Sequence, residues 1–471
     1  MSLDTSKIET LTPSQFITFT FPNPITHDCY LRSPLLRIAV LDSPISISDG
    51  DVPLIAAMIV PAHREPDWIF CTESGHFQLL LNFSNVSRLI LIGNNPPPNS
   101  DSSIFIRPPV TDTFDNEKQK LENELKPLVI ALHPKECFQN GLPEPVFLTY
   151  EDDTLYRVTI NRSIGTVVGE FLVEDVQVES KADSNKDFRR RLRFKRMPNL
   201  IQSEIPLNPT TGDVVGDLGL DLLSLRKKNE VEFRVDTGVL VHTYLTAMVA
   251  GLFLIVSNLD CRIQQGFVPR ALCLGVGGGA LLSFLNTRLG FEVVGVEADE
   301  VVLSVAREYF GLNDGNSIRL ILGDAIELIE KVACRRAGGD TRDLEVNIDC
   351  LDGKFDVVMV DLDSGDARTG VSAPPLEIVR ESVFEAARSV LHDHGVFVIN
   401  VVPSDDRFYL TLIEELQDVF HKVYEIDVGN EGNFVLVATV SPVASDDHDN
   451  DFYISLRHAI SGAYMDSIME L

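Results

Sequence analysis

This 471-residue chain predicts an α/β fold: a doubly wound parallel sheet that ends in an antiparallel hairpin, preceded by a smaller α/β accessory domain. Three observations carry that expectation. From Arg270 onward, short and continuously apolar segments alternate with helical patterns, as strands covered on both faces of a parallel sheet require. Near the end, "HKVYEID", the turn "GNEGN" and "FVLVATV" read as two antiparallel strands. The length also exceeds the size at which one hydrophobic core keeps growing, so a second domain is expected.

The elements follow in order. "LRIAVLDS", "PDWIFCT" and "SRLILIG", between Arg37 and Gly93, read as strands separated by polar turns. "GNNPPPNSDSS" reads as a surface loop, and "GTVVGEFLVEDVQVES" as another extended region. In "RRLRFKR" the arginines alternate with apolar residues, which predicts an exposed strand or hairpin and not a nucleic-acid patch. A domain boundary is placed beside it, giving an accessory domain over 1–185, a second domain over 186–442, and an acidic linker with a C-terminal helix over 443–471. "RALCL", "VVGVE", "IRLILGD", "FDVVMVD" and "GVFVINVV" then supply five strands. The helices "ALLSFLNTRLG" and "DEVVLSVAREYFG" end at Gly290 and Gly311. Phe452, Leu456, Ile460 and Tyr464 recur at helical spacing, so a terminal helix is expected to dock on a domain.

Composition excludes several functions. With 70 acidic against 40 basic residues the formal charge is -30, which repels phosphate backbones and anionic lipid. No nucleic acid and no membrane partner is expected, and a basic protein substrate suits the charge. The seven cysteines are odd in number and never spaced CxxC, so neither a disulfide framework nor a metal site is indicated, and a reducing cytoplasmic location is expected. "MSLDTSKIETLTPSQF" has no basic flank followed by an apolar core, unlike a targeting segment. "LTAMVAGLFLIV", Leu245–Val256, is too short to span a bilayer and reads as a buried helix.

The chemistry is expected where the first parallel strand gives way to a helix, in "LCLGVGGGALLSFL". A ligand delivered there meets bare main chain and unpaired helix N–H groups. Gly275 suits the turn, while Gly277 and Gly279 would let cofactor and backbone touch. Glu297 closes the second strand about 20 residues later, where a carboxylate accepts from both ribose hydroxyls. Asp299 better suits a helix N-cap. Asp324 is placed to accept from an adenine amino group, with the Ala325 backbone at a ring nitrogen. Nicotinamide-dependent dehydrogenases and S-adenosylmethionine-dependent enzymes both bind adenosine this way. The terminal hairpin favours the second, a class I (Rossmann-like) methyltransferase sheet, and "MVDLDSGD" shows no Ser/Tyr/Lys set or histidine for hydride chemistry.

Methyl transfer from a sulfonium requires an aligned nucleophile with its proton removed. Asp361 is the first candidate to contact the donor's amino group or an incoming amine, and Asp363 the second, with Asp366 a loop residue. "ARTGVSAPPLEIV" reads as a loop closing over substrate, stiffened by Pro374 and Pro375. Asn400 faces the same crevice. Gln202, His242 and Tyr244, upstream of the glycines, are expected to pack across the cofactor mouth, with structural roles weighed beside catalytic ones.

"FRRRLRFKRMPNLIQSE", "VDTGVLVHTYLTAMVAGL", "CLGVGGGALLSFL", "GVEADEVVLSVAREYFG" and "FDVVMVDLDSGDARTGVSAPP" together resemble the second methyltransferase domain of the methyltransferase-like protein 13 family, the elongation factor 1-alpha lysine and N-terminal methyltransferases. That domain is related to spermidine synthases. "EPDWIFCTESGHFQLL" resembles the region preceding it, so the resemblance runs from about Arg37 to Thr439. It implies S-adenosylmethionine as cofactor and methylation of the N-terminal amine of elongation factor 1-alpha. The first methyltransferase domain, which the family uses on a lysine, is not present in this sequence. Two alternatives stay open: aminopropyl transfer to a polyamine, whose enzymes carry D-S-S-D-P where Leu362 and Asp363 intervene here, and a catalytically silent binding module.

Overall fold

Strands that are apolar on both faces must be covered twice, and the C-terminal half of the chain satisfies this with one eight-stranded sheet between two helical layers. The computed structural model describes residues 7–24, 31, 33–44, 52–83, 85–95, 104–108, 114–139, 141–179, 187–210, 232–338, 351, 353–366, 373–403, 405–429, 432–443 and 450–471. Its strands are β1 (Phe16–Pro22), β2 (Leu35–Asp42), β3 (Leu54–Ile59), β4 (Val86–Asn94), β5 (Ile104–Ile106), β6 (Val146–Leu148), β7 (Thr154–Gly165), β8 (Gly169–Val178), β9 (Asp187–Phe194), β10 (Ile201–Pro209) and β11 (Phe233–Val235) in the first half. The second half adds β12 (Arg270–Leu274), β13 (Glu292–Glu297), β14 (Ile318–Leu322), β15 (Phe355–Val360), β16 (Leu391–Val401), β17 (Lys422–Asp427), β18 (Phe434–Thr439) and β19 (Ile468–Glu470).

The eight-stranded sheet runs β14-β13-β12-β15-β16-β18-β17-β19. Strands β12 to β16 are parallel, and β18 is antiparallel to both β16 and β17. This is the class I methyltransferase arrangement that the terminal hairpin predicts. The period of two along each strand sorts its residues: Ala271 and Cys273 face the Thr243–Ala250, Val256–Gln264, Ala280–Leu289 and Asp451–Ala459 helices, while Leu272 and Leu274 face those at Ala325–Arg336, Glu381–Val390 and Asp406–Val419. The segment Thr243–Gln264 has the length and hydropathy of a membrane span, yet its Leu245, Met248, Leu252 and Leu259 are buried against the sheet. The terminal helix docks through Phe452, Leu456 and Ile460, and the chain then adds β19, which the sequence pattern does not announce.

Upstream lie a five-stranded sheet, β1-β2-β4-β3-β6, and a six-stranded sheet, β11-β10-β9-β8-β7-β5. The boundary proposed at 185/186 falls between β8 and β9, which are hydrogen-bonded neighbours, so the cut passes through a sheet. The six-stranded sheet packs on the eight-stranded sheet through the Glu300–Tyr309 helix: Leu303 and Ala306 enter one core, and Val302 and Val305 meet Phe171, Leu192 and Ile205 in another.

Two expectations are corrected here. "PDWIFCT" is not a strand, because the Asp67 carboxylate caps a helical turn at Trp68–Cys71 and the Thr72 hydroxyl caps the next helix, Glu73–Leu81. The arginines of "RRLRFKR" are not exposed, because β9 lies between β8 and β10, whose carboxylates neutralise them. Arg193 binds Glu174 through two bonds of 2.7 and 3.0 Å and reaches Asp67 at 3.2 Å, and Arg191 pairs with Glu204 at 2.6 Å. Burial opposes the charge on Asp67, but Arg157, Arg193 and Arg64 more than reverse this and hold its carboxyl well below the usual range. The cluster ties the five-stranded unit to the six-stranded sheet. Arg193→Ala, which removes both hydrogen bonds to the buried Glu174 and one to the buried Asp67, is expected to lower folding stability by about 3 kcal/mol in urea titration.

Candidate active site

The sheet order reverses between β12 and β15, and at that switch point the strand ends open a cavity of about 480 Å³. Its floor is the β12 turn. Gly275 has φ +95°, and a Cβ there would strike the Asp361 carbonyl of the adjacent strand; Gly277 has φ +54°, with the Ser203 hydroxyl 2.7 Å from where its Cβ would stand. Both line the cavity. Gly279 does not: it is the N-cap of the Ala280–Leu289 helix, its open face filled by Leu312, so its expected role in holding a cofactor is corrected to packing.

The end of β13 presents Glu297 to the cavity. One carboxylate oxygen accepts from the backbone N–H groups of Val276 (3.3 Å) and Gly277 (3.2 Å), the other from that of Asp299 (3.2 Å). Burial raises its pKa, and these N–H groups pull the other way. Asp299 caps the Glu300–Tyr309 helix, as expected. Asp324 and Ala325 also line the cavity, and one Asp324 oxygen caps its helix through the N–H of Glu327 at 2.8 Å.

Beyond β15 the carboxylates take separate partners. Asp361 accepts from the Tyr244 hydroxyl at 3.1 Å and from the Asn400 amide at 3.3 Å. Its pKa is raised by burial to about 6, against the pull of those two bonds. Asp363 is taken up by Arg196 at 2.7 Å and Gln202 at 2.9 Å, so it positions those two side chains and has its oxygens engaged. Burial raises its pKa against the opposing charge of Arg196. Gln202 lines the cavity as expected. Ser203 donates to its own neighbour's carbonyl and accepts from Gly278 N–H at 2.7 Å, pinning the glycine turn. His242 is half-buried, with its Nε2 atom buried and unpartnered, beside Glu204 and outside the cavity lining. Residues 367–372, the first part of the expected closing loop, lie outside the described residues, while Pro375 and Glu377 line the cavity.

Sequence reading missed Arg196, Asn433 and the pair Val167 and Val168, all of which line the cavity. The amide oxygens of Asn400 and Asn433 are buried there without a hydrogen-bond partner. Among the described residues, five carboxylates, Glu297, Asp324, Asp361, Asp363 and Glu377, share the lining with one cation, Arg196. Such a wall attracts cationic and N–H-rich ligands. Among the described residues no cluster of three or more histidine, cysteine or acidic side chains is arranged for a metal ion.

No family model matches the chain. It is 27% identical over 418 residues to the eEF1A lysine and N-terminal methyltransferase of Danio rerio, covering 87% of this chain and 54% of that protein. The human protein of the same name is 26% identical over 428 residues, covering 87% of this chain and 54% of its own length. The chain thus spans about half the length of the curated relatives it matches. A polyamine aminopropyltransferase of Chromobacterium violaceum is 30% identical over 185 residues, 38% of this chain and 61% of that one. A crystal structure of human methyltransferase-like protein 13 in complex with SAH aligns with 47% of this chain and 93% of its own at 26% identity and a TM-score of 0.39.

Proposed function

We propose that this chain is an S-adenosylmethionine-dependent methyltransferase whose acceptor is a protein amine, the N-terminal amine of elongation factor 1-alpha. The observation that supports it best is the convergence in one cavity of a strand-end carboxylate, Glu297, with the half-buried Asp361 and the unpartnered amide oxygens of Asn400 and Asn433. Buried acceptors without donors are costly, so a site that keeps two of them suits a ligand rich in N–H groups. The eEF1A methyltransferases are the relatives that match most of the chain, and the polyamine enzyme matches only part of it.

The residues fit the cofactor. Glu297 would hold the ribose hydroxyls, Asp324 and the Ala325 backbone the adenine edge, and the bare backbone at Gly275 and Gly277 the methionine end. When bound, S-adenosylmethionine supplies an electrophilic methyl group on a cationic sulfur. The protein's part is to orient the amine: Asp361, fixed by Tyr244 and Asn400, accepts one N–H, and the two amide oxygens accept others. A carboxylate so placed also favours the ammonium form, so the proton leaves to water before transfer. A location in a reducing cytoplasm is part of the proposal, and the five free cysteines among the described residues suit it.

The test is incubation with labelled S-adenosylmethionine and elongation factor 1-alpha carrying a free N-terminus, followed by mass spectrometry of the N-terminal peptide. Methyl groups on the first residue, lost when that amine is acetylated beforehand, are expected. Label confined to lysines would move the acceptor. Preference for the decarboxylated cofactor with transfer to polyamines would replace the proposal with aminopropyl transfer.

A further inference from the structure

The cofactor cavity is not built from the methyltransferase sheet alone. The turn joining β7 to β8, in the six-stranded sheet, is bonded to Asp299 just beyond β13, and its Val167 and Val168 line the same cavity as Ala298 and Ile326. Its backbone is bonded there by a side chain. The fully buried Asp299 carboxylate accepts from the backbone N–H of Val167 at 2.7 Å and of Val168 at 3.1 Å through one oxygen, and caps the Glu300–Tyr309 helix through the other, Val301 N–H at 3.0 Å. The approach is so close that any side chain at Gly165 would collide with the same carboxylate. Val168 is buried in the core shared with Phe171 and Val302, whereas Val167 is 58% exposed at the cavity rim. An exposed valine at the rim of a cavity that Ala298 and Ile326 also line is a surface that gains by covering a flat apolar group.

We infer that the β7–β8 turn is the outer wall of the adenine subsite, clasped in place by Asp299, so that the accessory sheet is a constituent of the cofactor site. This rests on the reading of the cavity as an S-adenosylmethionine site. Asp299 acts as a positioning residue, since its oxygens bind the turn and the helix and not the ligand. One carboxylate therefore couples the helix that follows the ribose-binding strand to the wall opposite the base.

The experiment uses the full chain and calorimetric titration with S-adenosylhomocysteine. Asp299→Ser keeps a side chain that caps helices well but is too short and uncharged to hold two N–H groups of the turn. Val167→Ser removes the apolar contact at an exposed position, where folding has little at stake. Both variants are expected to bind about tenfold more weakly, in line with loss of charge-assisted bonds or apolar contact, with the change in KM for the methyl donor and not in kcat at saturation. If the parent binds and both variants stay within twofold of it, the wall is overturned while the cofactor reading stands. If the parent itself does not bind, the cofactor reading falls and takes the wall with it. Should Asp299→Ser fold poorly, Val167→Ser alone decides.

Discussion

Alanine in place of Glu297 is expected to weaken binding of S-adenosylmethionine, and of its demethylated product, by about one to two orders of magnitude, since bonds to a charged acceptor contribute roughly 1.5 to 3 kcal/mol. Two losses combine. The ribose hydroxyls lose their acceptor, and the N–H groups of Val276 and Gly277, which donate to the same carboxylate, lose the group that fixes the turn. Folding should not follow binding downward. Burial raises the pKa of Glu297, so the ionised form is less favourable in the folded chain than in the unfolded one, and its contribution to stability is present at low pH and lost as pH rises through the raised value. Glu297→Gln is therefore expected to match or exceed the parent in thermal stability at neutral pH while binding the cofactor more weakly. Calorimetry and thermal melts on the same samples separate the two effects. Unchanged affinity in both variants would remove Glu297 from the ribose.

What the sequence discloses and what it hides follows from the range of the forces involved. The parallel sheet is legible because burial on both faces writes itself into every strand, as in the wholly buried "FDVVMV" of β15. Glu297 and Asp361 are legible because a carboxylate at the end of such a strand has few places to go except the crevice. Gly279 shows the limit: the pattern locates a glycine but not which neighbour its open face meets, here Leu312. Trp68–Cys71 reads as a strand by residue type, and only the side chains of Asp67 and Thr72 make it a helical turn. The arginines of β9 look like a solvent-facing row until Glu174, Asp175 and Glu204 arrive on neighbouring strands. Asn433 follows Glu297, the end of β13, by 136 residues, and Val168 of the β7–β8 turn precedes Arg270, the start of β12, by 102, distances at which local pattern carries no signal; only the folded chain brings them in.

Asp361→Asn is expected to lower kcat by about two to three orders of magnitude, the scale on which removal of one pre-oriented polar group at a reacting centre is felt. The isosteric amide keeps the contact with Tyr244 possible but removes the charge that orders an amine. The pH profile makes the claim specific. With burial raising the Asp361 pKa to about 6, kcat/KM in the parent should fall as pH drops through about 6, because the protonated acid no longer accepts an N–H. A second limb belongs to the acceptor: an α-amine, with an ordinary pKa of about 7.7 to 8.0, should bring the rate to a plateau near pH 8, whereas a lysine, near 10.4, would keep it rising. Asp361→Asn should lose the acid limb and keep the other. Stability should move oppositely to activity. A folded pKa above the ordinary carboxylate value means that the contribution of Asp361 to stability is full below the unfolded pKa and lost as pH rises through about 6, so at pH 7 to 8 the ionised form costs on the order of 2 kcal/mol. The asparagine variant is accordingly expected to melt higher than the parent at pH 7.5 and no higher at pH 4. An acid limb that persists in Asp361→Asn would assign that titration to another group and remove Asp361 from the handling of the amine.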